Sequence, residues 1–260
     1  MKTAKLEYAQ YLYRRYGDRS TPKHYLNDLE LFIDFVGEKA AQAVTKQDIE
    51  RFIEDQRKRG LKATSVNRRL ASLHHFFEYA ASEEPDAAWP NPVEWRRQRV
   101  KQGTSLRRDG SEQQIGQLFA AIDDPRDYAM FGLMVGAGLR VGEVVSVQCA
   151  DLETPSSPDQ ASRLHVIGKG RKERVVWLTP HWYAAVAAWL AIRPTSSATE
   201  LFLNQHDQPL SVAGVQYRLK AYTERAKVKL SCHQLRHTFA RRLAEQSMPI
   251  ESIARLMGHA

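Results

Sequence analysis

Apolar residues recur along this chain mostly at helical spacing, and the periodic runs are separated by proline, glycine and capping residues. After Thr21-Pro22, Leu26, Leu29, Ile33 and Val36 fall on one face, with the proline suited to a first turn. Thr45 with Asp48 has capping-box form and introduces Ile49, Phe52 and Ile53, and Gly60 closes that run. Thr64 opens a further helix whose stripe is Val66, Leu70, Leu73, Phe76 and Phe77, before Pro85, Pro90 and Pro92 break the pattern. Apolar stripes on helices joined by short loops must bury against one another, so this part of the chain predicts a compact four-helix unit.

The stretch Arg99 to Gly110 is basic and aperiodic, which predicts a linker between a domain over 1–98 and a second over 111–260. Ser111 and Gln114 cap a helix carrying Ile115, Leu118, Phe119 and Ile122, and a second helical run covers Tyr128 to Val135. Arg163 to Ile167 and Glu173 to Leu178 are β-rich and flank Gly168-Lys169-Gly170-Arg171-Lys172, a turn signal, so a hairpin with a lysine at its tip is expected. From Trp182 onward helices return, marked by Trp189, by Val215, Leu219 and Tyr222, by Leu235, Phe239 and Leu243, and by Ile253 and Leu256. The second domain is therefore expected to be mostly helical with a small sheet.

Composition narrows the function. Of 260 residues, 43% are hydrophobic and 26% charged, which excludes a disordered tail protein. The longest apolar stretches, Tyr183 to Ile192 and Met130 to Leu139, are too short to span a bilayer, and the N-terminus lacks the apolar core of a signal peptide. Cys149 and Cys232 cannot build a disulfide framework, so a soluble protein of a reducing, cytoplasmic compartment is expected. Lys plus Arg is 38 against 30 for Asp plus Glu, a net charge of +8, which favours a polyanionic partner. Arg57, Lys58, Arg59, Lys62, Arg68 and Arg69 share one acid-free stretch, and Arg96, Arg97, Arg99, Lys101, Arg107 and Arg108 another. Either could be a solvated face, but two such clusters, one in the expected linker, point to nucleic acid.

Two segments could carry chemistry. Gly136-Ala137-Gly138-Leu139-Arg140-Val141-Gly142-Glu143 places three glycines around an arginine that the carboxylate three residues on could aim at an anion. A surface salt bridge at a helix start is the plainer alternative. His233-Gln234-Leu235-Arg236-His237 puts His233, Arg236 and His237 on one helical face. The histidines could bind a metal with His259, but Arg236 would set a permanent cation beside it and no Glu follows the first His as in a zincin helix; an anion site suits the arginine better. Lys169 at the expected tip and the Gly258-His259 pair mean little singly.

Together these segments resemble the tyrosine recombinase (phage integrase) family, its Xer-type members most closely. The resemblance rests on Ser65 to Leu73, Gly138 to Glu143, Val166 to Arg174, His233 to Ala240 and Leu256 to His259, in that order, and spans nearly the whole chain. It implies a mainly α protein: a SAM-like core-binding domain, then an α+β catalytic domain of the DNA breaking-rejoining type. It implies strand cleavage and rejoining through a 3′-phosphotyrosyl link, with no metal or other cofactor. Arg140 and Arg236 would grip the non-bridging phosphate oxygens, His259 would add a donor, Lys169 would protonate the departing 5′ oxygen, and His233 would assist the nucleophile. Glu143 would orient Arg140, and His237 keeps a structural role. The implied partner is double-stranded DNA, closed on from two sides, with a homo- or hetero-tetramer on DNA for a full-length parent and no membrane. Lys62, Asn67, Arg68, Arg69 and Arg171 are the expected DNA contacts, the helix from Thr64 to Tyr79 reading bases.

One element of the pattern is missing. The family's nucleophilic tyrosine lies one or two helix turns beyond the Gly-His pair, and none of the ten tyrosines here follows His259. Tyr217 and Tyr222 precede the His233 helix on an amphipathic segment and are expected in the core. A C-terminally truncated recombinase that binds DNA without cleaving it is the leading expectation, and a non-catalytic competitor at recombination sites is the second. A metal-dependent phosphodiesterase using His233, His237 and His259 is the third.

Overall fold

The computed structural model describes residues 1–18, 20–83, 89–103, 110–157, 159–168 and 173–258. The expected hairpin tip (Lys169, Arg171), His259 and residues 104–109 of the expected linker lie outside the described residues. The chain divides into two compact units, residues 1–105 and 106–260.

The first unit contains α1 (Lys2–Tyr16), α2 (Ser20–Val36), α3 (Lys46–Lys58), α4 (Ala63–Glu83) and the short α5 (Trp95–Gln98). The Thr45/Asp48 capping box forms as the spacing requires and starts α3. The stripes meet in a core that includes Leu12, Leu29, Phe32, Phe52, Leu73 and Phe77. Phe32 stands edge-on to Phe52 at 5.2 Å, the arrangement that ring quadrupoles favour. Two carboxylates are buried in this unit among the described residues, Asp48 of the α3 capping box and Asp28. Asp28 of α2 is fully buried and accepts hydrogen bonds from both terminal nitrogens of Arg68 (2.5 and 2.9 Å) and from Ser72 (2.8 Å), tying α2 to α4.

The second unit is built around α7 (Pro125–Gly136), which starts earlier than its apolar run suggests. Asp124 accepts from the backbone N–H of Arg126, and Pro125 takes the first helical position. Ala129 through Val135 are nearly all buried, because a helix apolar on all sides must be covered on all sides. It packs against α9 (Pro180–Ile192) and α11 (Cys232–Glu245), and α6 (Glu112–Ala120), α8 (Val141–Ser146), α10 (Val212–Arg225) and α12 (Ile250–Leu256) are the other α-helices among the described residues of this unit. Strands β1 (Ser162–Ile167) and β2 (Glu173–Leu178) form an antiparallel hairpin with Ser162 opposite Leu178 and Ile167 opposite Glu173. Leu164, Val166, Val176 and Leu178 face the core, while His165, Ile167 and Trp177 face outward.

Tyr222 is buried as expected, donating to Asp127 at 3.0 Å, but Tyr217 is 72% exposed. The α10 core face is Val215, Leu219 and Tyr222, and a residue two positions after Val215 falls on the opposite side. Cys149 and Cys232 are free thiols, and burial pushes the Cys232 thiol up to about 11. Among the described residues no helix is long and apolar enough to cross a membrane.

The glycine-rich segment after α7 is where the backbone becomes demanding. Gly138 has φ +68°, and a Cβ there would overlap the Phe239 ring of α11. Gly142, in α8, has ordinary φ and open space around it. Gly138→Ala is expected to lose about 2–4 kcal/mol of unfolding free energy, from backbone strain and overlap together. Gly142→Ala should stay within about 1 kcal/mol of the parent, on the stabilising side. Chemical denaturation followed by circular dichroism compares the two within the same unit.

Candidate functional site

Arg140 stands at the N-cap of α8 and Glu143 in its first turn, so four residues of local sequence bring them together. The Glu143 carboxylate is buried and accepts from the Arg140 backbone N–H (2.7 Å) and from Arg140 Nη1 (2.8 Å). Arg236 reaches the same place from α11. It is 3% exposed, donates through Nη1 to the Gly138 carbonyl at 2.6 Å, and its Nη1 lies 3.6 Å from Glu143 Oε2. The positive φ of Gly138 thus turns a carbonyl onto the second arginine.

A third arginine, which the sequence reading assigned no role, completes the arrangement. Arg174 of β2 forks onto Glu143, with Nη1 at 2.7 Å from Oε1 and Nη2 at 2.8 Å from Oε2. Its signal in the sequence is strand parity. Arg174 shares the inward phase of Val176 and Leu178 and lies opposite Val166, so a charged side chain occupies a core-facing position and requires an internal partner.

The three guanidinium groups also share the end of α12. The carbonyls of Leu256, Met257 and Gly258 accept, in order, from Arg174 Nε (3.2 Å), Arg236 Nη2 and Arg140 Nη2 (3.0 Å). Carbonyls in a helix's last turn lack intrahelical partners, and here cations supply them. Gly258, at φ +62°, ends the helix in the left-handed conformation.

Electrostatics follow from the geometry. Burial by itself would raise the Glu143 carboxyl, but the hydrogen bonds from Arg174, then from the backbone and side chain of Arg140, hold it down to about 2. Arg236 is pushed down to about 10 by burial and then by the neighbouring Arg140 charge, against the pull of Glu143, and stays a cation at neutral pH. Three guanidinium charges against one carboxylate leave two positive charges at the cluster. Arg140 keeps 35% of its side chain exposed, so the cluster opens to solvent at that residue.

His233 and His237 lie one turn apart on α11 with their Nε2 atoms 2.8 Å apart and their rings edge to face. His233 is exposed, whereas Arg236 between them in sequence turns inward. Among the described residues no group of three or more His, Cys, Asp or Glu is placed to hold a metal ion.

The expected DNA contacts of the first unit divide sharply. Lys62 is exposed just before α4. Asn67 is buried, its amide donating to the Val100 carbonyl and accepting from the Val100 N–H, both at 2.9 Å. Both ends of that amide are used internally, which removes Asn67 from the groove-reading role expected of it. Arg68 is half exposed but forked onto Asp28, and Arg69 lies 19% exposed with Nε 3.8 Å from the same carboxylate. Internal partners draw these groups inward: the Val100 backbone for Asn67, the buried Asp28 carboxylate for Arg68 and Arg69.

Known proteins give the arrangement its context. The profile of the phage integrase family matches residues 110–260, and that of the phage integrase N-terminal SAM-like domain matches residues 7–84. Tyrosine recombinase XerC of Vibrio cholerae serotype O1 is 30% identical over 251 residues, covering 92% of this chain and 78% of that protein. Tyrosine recombinase XerC of Haemophilus influenzae is 29% identical over 277 residues, covering 100% and 90%. Among solved structures, a lambda integrase (75–356) dimer bound to a COC' core site superposes with TM-score 0.80 at 16% identity, covering 100% of this chain and 94% of that one. XerH bound to palindromic difH in a post-cleavage complex gives TM-score 0.79 at 18% identity, covering 92% and 73%. With two ordered profile matches and a relative 30% identical along most of its length, the chain belongs to the phage integrase family, the tyrosine recombinases of site-specific DNA recombination.

Proposed function

We propose that residues 106–260 carry the phosphate-handling site of a site-specific DNA recombinase, with Arg140 and Arg236 as its gripping pair. One observation carries this reading: guanidinium groups from distant segments converge on a single buried carboxylate with positive charge left over. Attack of a tyrosine hydroxyl on a DNA phosphodiester forms the Tyr–O–P bond, breaks the bond to the 5′ oxygen, and leaves a 3′-phosphotyrosyl link. Charge accumulates on the non-bridging oxygens as the phosphorus passes through five-coordination. Cationic donors already fixed in a partly dry setting stabilise that charge with little reorganisation.

In this reading Arg140, the exposed member, meets the phosphate first, and Arg236 supplies charge and donors from behind it. Glu143 touches no substrate; it holds the arginines in place. Lys169 delivers the proton to the departing 5′ oxygen, Arg171 beside it contacts the backbone, and His259 adds a donor. His233 assists the attacking hydroxyl from the exposed first turn of α11. No metal is required, because the guanidinium charges take its place. The partner is duplex DNA, bound also through exposed cations of the first unit such as Lys62, and the cytoplasm is the setting in which Cys149 and Cys232 remain thiols.

The tyrosines present favour a narrower role for the 260-residue polypeptide itself. Tyr222 is buried in a network with Asp127 and Arg218, and Tyr217 lies on the α10 face away from the core. In this reading neither of these two is the attacking hydroxyl, and the 260-residue polypeptide is read as a DNA-binding one. It is expected to bind duplex DNA with an affinity that falls steeply as salt rises, and to form no covalent adduct on a nicked substrate, with or without EDTA. An adduct band on a denaturing gel would overturn this.

Two sets of substitutions test the site. Arg140→Ala and Lys62→Ala should each weaken duplex binding and lower the salt slope by about one, whereas Asn67→Ala should cost stability and leave the slope unchanged. Fluorescence anisotropy across a salt series reads this directly. Glu143→Gln should destabilise by roughly 3 kcal/mol at pH 7, as a buried charge cluster loses its anion. The sign with pH follows from the depressed carboxyl: its stabilisation is complete above the unfolded value of about 4.3 and disappears as pH falls towards about 2. The gap between parent and variant in urea melts should therefore close across that window.

A further inference from the structure

Resting on the reading of Arg140 and Arg236 as phosphate-gripping groups, we propose that Arg174 is a positioning residue that locks the start of β2 to both of them. Arg174 is the second residue of β2, directly after the segment joining the two strands, and that segment contains Lys169. Its guanidinium makes three directed contacts: a fork onto both oxygens of Glu143 and a hydrogen bond from Nε to the Leu256 carbonyl. Glu143 in turn holds the backbone and side chain of Arg140 and lies 3.6 Å from Arg236. The Met257 and Gly258 carbonyls, next in the same turn, accept from Arg236 and Arg140. A displacement of β2 is thereby transmitted to both gripping arginines through two separate paths, the carboxylate and the helix turn.

The chemistry of the side chain explains why arginine is used here. A planar fork matches a carboxylate bidentately while Nε remains free to donate to a carbonyl, and lysine offers one rotating ammonium instead. All three guanidinium nitrogens of Arg174 are engaged inside the protein, two by Glu143 and Nε by the Leu256 carbonyl. That commitment marks it as acting through Glu143 and the turn.

The test needs no DNA for its first arm. In the 260-residue chain, Arg174→Met and Arg174→Lys are compared with the parent by carboxyl NMR of Glu143 and by the Nε–H signals of Arg140 and Arg236. Arg174→Met should raise the Glu143 titration towards or above the ordinary carboxylate range, about 4.3, and shift or broaden both arginine signals. Arg174→Lys should keep Glu143 ionised yet fail to restore the arginine signals, because charge returns without the fork. Parent-like arginine signals in Arg174→Lys, or an unmoved Glu143 in Arg174→Met, would overturn the proposal. If Arg174→Met does not fold, Arg174→Met with Glu143→Gln removes the buried charge mismatch, and its arginine signals must still differ from those of Glu143→Gln alone. The second arm measures affinity for a duplex oligonucleotide. A parent whose affinity is unchanged by Arg140→Ala refutes the phosphate-site reading alone, since the DNA-free signals report on Arg174 independently.

Discussion

Placing one carboxylate inside a protein is costly unless its oxygens are hydrogen-bonded, and Glu143 meets that condition with donors from Arg140 and Arg174, while a third arginine, Arg236, adds its charge from 3.6 Å. Everything that gives the second unit its chemical character depends on this arrangement. The carboxylate makes it possible for three guanidinium groups to lie close together, which their mutual repulsion would otherwise prevent. Because the anion neutralises only one of the three, the cluster remains cationic, and because Arg140 alone is substantially exposed, the cationic surface has a defined opening.

The end of α12 adds a second set of acceptors to the same arginines. Its three successive carbonyls are the orphan groups of a helix terminus, and each receives an N–H from a different guanidinium. Two problems of satisfaction are therefore solved with one group of side chains. The consequence is geometric: the turn that ends at Gly258 is held by the same three arginines that surround Glu143.

The first unit uses the same physics with a different result. Asp28 is a buried carboxylate satisfied by Arg68 and Ser72, and it binds two helices to each other. Arg69 also approaches that carboxylate, its Nε at 3.8 Å, and Arg68 is the more exposed of the two. The exposed basic side chains, Lys62 among them, offer charge without a fixed geometry, which suits contact with a phosphate backbone more than reading of bases.

Much of this was legible in the order of residues. The helices of both units, the capping boxes at Thr45 and Ser111, the hairpin over 162–178 and the pairing of Arg140 with Glu143 follow from periodicity and from spacings of three or four, which are local properties of a helix or strand. The segments that mark the family were equally visible. What only the folded chain decided are the contacts between distant polar groups: Arg174 forked onto Glu143, Arg236 turned inward to Gly138 and Met257, Asn67 spent on Val100, Tyr217 left outside while Tyr222 is buried. Periodicity records which face of an element is apolar and will be covered. It carries no record of which carbonyl or carboxylate waits across the interface, and a hydrogen bond of under 3 Å depends on that placement in space.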